Sequence, residues 1–211
     1  MVDAWAPFAI KGFIWYQGCH NNGEAHRYCD KMHALYDGWA KAFQNPDLKL
    51  YFVELAPFKA NWFNLQMNQA KFTAEEKNAG MAVTCDVGNL DDIHPNDKRT
   101  VAKRLSLHAL KRDYGWESVR DNSPTLKSWK VDGDKFVLSF NDAKGWYIYN
   151  PKMGDPSVGF EIAGADGKWV PAKLVNVNGE GNVNGAELVV AADGVKENVA
   201  SLMHEGRVAA T

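Results

Sequence analysis

Asp91, Asp92 and His94 stand together in the string Asp-Asp-Ile-His-Pro at 91–95. A carboxylate three residues ahead of a histidine can fold back across a turn and accept the ring Nδ1–H, which fixes the tautomer and leaves Nε2 free as a base. Acyl-transfer chemistry needs that arrangement. The alternative is that Asp91 or Asp92 caps the next helix and His94 is a polar loop residue. A second cluster, Gln17, Gly18, Asn21 and Asn22, offers side-chain amides and a backbone N–H to a developing oxyanion. Its plainer reading is a Gly/Asn turn that closes a strand.

For these groups to meet, the chain must bring both loops to one edge. Apolar runs at 10–16, 48–57 and 80–88 read as buried strands. Between them, residues 24–43 carry Tyr28, Met32, Leu35, Tyr36, Trp39 and Phe43 at spacings of three and four, one face of a helix. A second helix is expected over 61–78 with Leu65, Gln69 and Phe72 on one side, closed by Gly80. A third is expected over 96–113, burying Val101, Leu105, Leu107 and Leu110, with Pro95 in its first turn. Alternating strands and helices imply an α/β fold, a doubly wound parallel sheet with helices on its faces. Ligands bind beyond the carboxyl ends of such strands, so loops 17–22, 57–61 and 86–95 should open on the same rim. After Tyr114 the texture changes to short runs at 135–140, 159–164, 168–177 and 186–192, separated by Gly, Asp and Asn. The expected division is an α/β part over 1–118 and a small antiparallel β-rich, sandwich-like part over 119–211.

Composition narrows the function classes. The 211 residues are 45% apolar and 24% charged, which fits a folded globular chain rather than a disordered one. With 24 basic against 26 acidic residues the formal charge is -2, so no electrostatic footprint points to nucleic acid or an anionic membrane. No apolar run approaches the roughly 20 residues that cross a bilayer, and the first dozen residues lack the apolar stretch of a secretory signal. Cys19, Cys29 and Cys85 form neither a Cys-x-x-Cys pair nor an even disulfide set. Cys29 and Cys85 read as core thiols, whereas Cys19, in the first loop, is a candidate thiol nucleophile. A metal site built on Cys19, His20, His26 and His94 is disfavoured, because adjacent ligands are geometrically awkward and the intervals match no zinc motif. No metal and no cofactor are expected. His33 and His108 read as surface or flanking residues of their helices. None of Ser106, Ser118, Ser123, Ser128, Ser139, Ser157 and Ser201 lies in a nucleophile-like context. Trp129, Trp146, Tyr147 and Trp169 support a different reading, a non-catalytic carbohydrate-binding or interaction protein with aromatic platforms.

The Trp-Tyr-Gln-Gly turn within residues 9–22, the segment 51–58, the long block 80–110 and the Asp-Tyr-Gly at 113–115 follow one another in the order of a known family. In these blocks, and in the β-rich segment 159–174, the chain resembles the C-terminal half of the sialate O-acetylesterases, SGNH-type carbohydrate esterases. The resemblance implies hydrolysis of O-acetyl esters on sugars by a Ser/His/Asp mechanism without metal. His94 would be the general base, Asp91 its orienting carboxylate with Asp92 the competing choice, and Gln17, Gly18 and Asn21 the oxyanion loop. Cys19 and His20 stand where that family has Glu and a small residue. The family's nucleophilic Ser lies in a block upstream of the Trp-Tyr-Gln-Gly turn that these residues do not contain. Half a parallel sheet leaves an open strand edge and a bare apolar face, so a second chain or copy is expected to cover them. An O-acetylated sugar is the expected substrate, and the resemblance suggests an exported protein.

Overall fold

β2, Lys49–Val53, is buried at every position after Lys49, the pattern of a parallel strand covered on both faces. It is the middle strand of a three-stranded sheet in the order β1-β2-β3, with β1 at Gly12–Trp15 and β3 at Ala79–Ala82, all parallel. In this computed structural model the described residues are 2–6, 8–143, 160–164, 166–178, 182–193, 195, 201–204 and 207–210. α1 (Tyr28–Ala42) joins β1 to β2, and α2 (Phe63–Glu75) joins β2 to β3. Side chains alternate across a strand. Leu50 and Phe52 therefore enter one core with Met32, Tyr36, Leu65 and Phe72 from α1 and α2. Tyr51 and Val53 face the other way, against Val101 and Leu105 of α3 (Lys98–Arg112). α1 and α2 both pack on the Leu50 and Phe52 face of the sheet, as same-handed crossovers advancing in one direction require, and α3 takes the opposite face. The fold is thus the doubly wound α/β arrangement expected, with a consequence at β1. Phe13 and Trp15 pack into the first core, but Ile14 points to the side that α3 leaves bare and is 71% exposed.

Several local expectations change. Residues 19–27, expected to be loop and helix start, coil into 3-10 turns over Cys19–Arg27 that carry the chain into α1. Gly80 lies inside β3, not at a helix end. His108 packs so closely over it that a Cβ there would lie 2.8 Å from His108 Nδ1. α3 starts later than expected. Its N-cap is Asp97, whose carboxylate accepts the Thr100 N–H at 2.9 Å. His108 is not a surface residue but fully buried, on the same face as Val101 and Leu105, stacked on Tyr51 with ring centroids 5.4 Å apart. Leu107 and Leu110 are only half-buried, and Cys85, past the end of β3, is exposed. Cys29 is buried as expected.

The chain divides into two compact units, Met1–Asn122 and Ser123–Thr211. The second contains two four-stranded antiparallel sheets. One is ordered β4-β5-β9-β8, from Thr125–Asp132, Lys135–Asn141, Glu187–Ala191 and Lys173–Leu174. The other is ordered β11-β10-β6-β7, from Arg207–Ala210, Ser201–His204, Phe160–Ala163 and Trp169–Pro171. Phe136, Leu138, Leu188 and Val190 of the first sheet share one core with Phe160 and Ile162 of the second, which makes this unit a sandwich. Trp146, Tyr147 and Ser157 lie outside the described residues. Trp129 packs on the sandwich core and Trp169 is partly exposed.

Candidate active site

Three loops leave the carboxyl ends of β1, β2 and β3, and specific contacts tie them together. Lys98, in the first turn of α3, lies over the Tyr16 ring at 5.3 Å, joining the third loop to the first. Gly88 lies directly on Pro57, where a Cβ would fall 2.5 Å from Pro57 Cδ, and Lys59 Nζ reaches Asp91 Oδ1 at 2.5 Å. The second and third loops are therefore packed together at Gly88 and bridged at the surface by the Lys59–Asp91 ion pair.

The base of this rim is a buried polar frame that the sequence did not announce. Glu54, 1% exposed just past β2, accepts the Thr84 hydroxyl on its backbone oxygen at 2.7 Å and the Thr84 N–H on its carboxylate at 3.3 Å. Gln69 of α2 accepts the Leu55 N–H at 3.0 Å and donates to the Val53 carbonyl at 3.1 Å, so the backbone leaving β2 is satisfied without water. Arg104 of α3 grips Asp86 with both guanidinium nitrogens at 2.6 Å and donates to Val83 O at 2.6 Å. That guanidinium holds the Asp86 carboxyl below the usual carboxylate range, against the opposing effect of burial.

The first loop is set by one helix residue. The Tyr28 hydroxyl lies 2.7 Å from Gln17 O and 3.2 Å from Gln17 Oε1, and burial pushes its pKa up to about 12, so it stays a donor. Gln17 Nε2 in turn donates to Asn21 Oδ1 at 2.7 Å. Gly18 between them adopts φ 151°, a region that disfavours side chains, and is packed beneath Leu55 and Leu65. Gln17, Gly18 and Asn21 thus form one small amide cluster. Cys19 opens the 3-10 segment that leads into α1. It packs against the α1/α2 core, and burial raises its pKa, which favours the unreactive thiol.

The third loop is anchored by Ile93, packed against the same core, while His94 next to it is 84% exposed at the side chain. The expected pairing of Asp91 with His94 is not what the structure holds. Asp91 is taken by Lys59, and Asp92 stands nearer the ring, with Oδ1 3.6 Å from His94 Nδ1. The reason is local, because Asp92 Oδ1 accepts the His94 backbone N–H at 2.8 Å in an Asx turn that carries the carboxylate to the ring's side. Neither aspartate caps α3, since Asp97 does. Signals for Tyr28 and Glu54 were absent from sequence spacing, as both act across more than ten residues.

One groove in the second unit, lined by Val175, Val177 and the amides of Asn176, Asn178, Asn182 and Asn184, carries no acid or base among the described residues. Its amides largely bond their own hairpin, as when Asn176 Nδ2 donates to Asn184 O and Glu187 O.

A parallel sheet with helices on both faces, polar loops at its carboxyl edge and a separate antiparallel sandwich is the architecture of a carbohydrate acetylesterase. The chain superposes on one such enzyme from Xanthomonas citri with a TM-score of 0.77 and 30% identity, covering 97% of this chain and 48% of that one. Residues 1–111 match the carbohydrate esterase, sialic acid-specific acetylesterase family, and the chain belongs to that family. It is 29% identical to the sialate O-acetylesterase of Rattus norvegicus over 157 residues, 60% of this chain and 28% of the relative. It is 24% identical to that of Pongo abelii over 230 aligned positions, 97% of this chain and 42% of the relative. The chain therefore spans less than half the length of each of these relatives. Among the described residues, no helix is long and apolar enough to cross a membrane.

Proposed function

We propose that this chain supplies the acid–base half of a carbohydrate O-acetylesterase, with His94 as general base and Gln17, Gly18 and Asn21 as the oxyanion loop. The nucleophilic serine comes from polypeptide outside residues 1–211. The observation that carries the reading is the convergence of the amide cluster and the His94 loop on one sheet edge, with Lys98 at the start of α3 over Tyr16 at the end of β1 and Gly88 packed on Pro57. In the reaction the serine oxygen attacks the acetyl carbon while its proton passes to His94 Nε2. The carbonyl oxygen gains negative charge and is met by the amide and backbone donors of the first loop. His94 then returns the proton to the departing sugar oxygen, leaving an acetyl-serine that water cleaves by the same route.

Asp91 orients His94 in this scheme. Asp92 is engaged in holding the turn, whereas Asp91 sits on an exposed Lys59 that a short side-chain rotation would release. An O-acetylated sugar is the substrate, a second chain or copy covers the exposed sheet edge at β1, and the protein is exported.

The test is acetate release from an O-acetylated sialic acid by this chain, with and without the upstream half of a related esterase added in trans. Activity that needs both pieces and falls by about 10²-fold to 10⁴-fold in His94→Ala supports the reading. Release by this chain alone, unaffected by His94→Ala, overturns it. Quenching of tryptophan fluorescence by the sugar, with no release from the reconstituted pair, would favour a carbohydrate-binding protein instead.

A further inference from the structure

Cys29 and His33 stand four residues apart on α1, hence on one face of that helix. Glu75, the last residue of α2, reaches the same point. The Cys29 thiol donates to Glu75 Oε2 at 3.4 Å, and His33 Nε2 lies 3.1 Å from the same oxygen. All three ligand atoms fall within 4.8 Å of one another. Around a tetrahedral zinc ion, sulfur, nitrogen and oxygen ligands are about 3.4–3.6 Å apart, so the cluster closes on an ion when the partly exposed His33 ring swings toward the Cys29 thiol by about 1 Å. The surroundings suit a metal as well. Cys29 is 2% exposed in the core, the His33 ring lies edge-on to Phe72 at 4.8 Å, and Glu75 opens to solvent. One cation competes for the site, Lys71, whose Nζ is 3.8 Å from Glu75 Oε1.

We propose that Cys29, His33 and Glu75 form a binding site for a divalent transition metal, zinc by the chemistry of the donor set, with a fourth position open to water. A thiolate with an imidazole and a carboxylate selects zinc or a similar borderline ion over magnesium or calcium, which want oxygen alone. On binding, the Cys29 Sγ–H bond breaks, its proton goes to solvent and the electron pair stays on sulfur to bond the metal, with no change of oxidation state. The ion would clamp α1 to the end of α2. This site uses none of the residues of the three rim loops and is independent of the esterase reading.

The test is equilibrium dialysis of the chelator-stripped chain against zinc alone, in a Cys19→Ser/Cys85→Ser background so that Cys29 is the remaining thiol. One equivalent of zinc, a thiolate-to-metal absorption band with cobalt, and a thermal midpoint raised by zinc are expected. His33→Gln and Glu75→Gln, both at partly exposed side chains and so expected to fold, should each weaken binding by about tenfold or more. Absence of the cobalt band overturns the site, as does zinc retention that is unchanged in both variants or that is lost instead in His20→Ala/His26→Ala.

Discussion

Capping α3 falls to Asp97, and this frees Asp91 and Asp92 from the commonest duty of carboxylates ahead of a helix. The two then divide. Asp92 spends one oxygen on the His94 N–H, and Asp91 rests on Lys59. If Asp91 is the orienting group, Asp91→Asn in the reconstituted esterase should lower kcat far more than Asp92→Asn, and Lys59→Ala should leave kcat within a few-fold. The reverse ranking in a steady-state assay would assign the role to Asp92. A second residue-scale prediction concerns His108. Burial lowers its pKa, assisted by the nearby Arg112 charge and opposed by Asp121, whose oxygen lies 3.3 Å from Nδ1. Because the folded state prefers the neutral ring, its contribution to stability is whole above the unfolded value of about 6.5 and is lost as pH falls below it. Asp121 behaves differently, since Arg112 and His108 hold its carboxyl low in spite of burial, so its contribution is lost only near and below about pH 4. Urea midpoints measured from pH 7.5 to 5 should therefore fall in the wild type and lose that slope in His108→Gln.

At the scale of elements, the first loop depends on α1 through a single hydroxyl. Tyr28→Phe deletes the donor to Gln17 O while keeping the ring in the core. It should cost about 1 kcal/mol of stability and depress kcat by loosening the amide cluster, readable by urea melts beside the esterase assay. Phe72, fully buried between Phe52 and the His33 ring, is a packing control. Phe72→Ala should cost about 3–5 kcal/mol in the same melts. The strands and helices that hold these residues were legible in the sequence because apolar periodicity is imposed by burial itself, and the shared rim followed from the α/β rule for strand ends. What spacing did not carry was anything decided by a distant partner. His108 reads as a flank residue until Tyr51 and Asp121 are seen around it, Gly80 reads as a helix stop until the ring above it is seen, and Lys59 takes Asp91 from across 32 positions. The late start of α3 and the 3-10 coil at Cys19–Arg27 were missed for a milder reason, since capping and coiling depend on a few side-chain bonds rather than on a repeating pattern.

For the molecule as a whole, the two units differ in how they are built. The first stacks helices on a parallel sheet, and the second closes two antiparallel sheets on one core. Asn122 and Ser123 at their junction are both exposed. Limited proteolysis should first cut near them and release two resistant fragments visible by mass spectrometry; first cuts inside β2 or β5 would contradict the division. Within the first unit the dry interior stops partway across the sheet. β2 has a bonded neighbour on each side and both faces covered, while among the described residues β1 has a partner only on one side and shows Ile14 to water. Backbone amides open to solvent in proportion to the local contacts that must break. Deuterium should therefore enter this small sheet as a gradient, quickly at 12–15 and slowest at 49–53. Adding the covering piece proposed for the β1 edge should flatten that gradient, giving a clock for assembly that works even before any ester is cleaved.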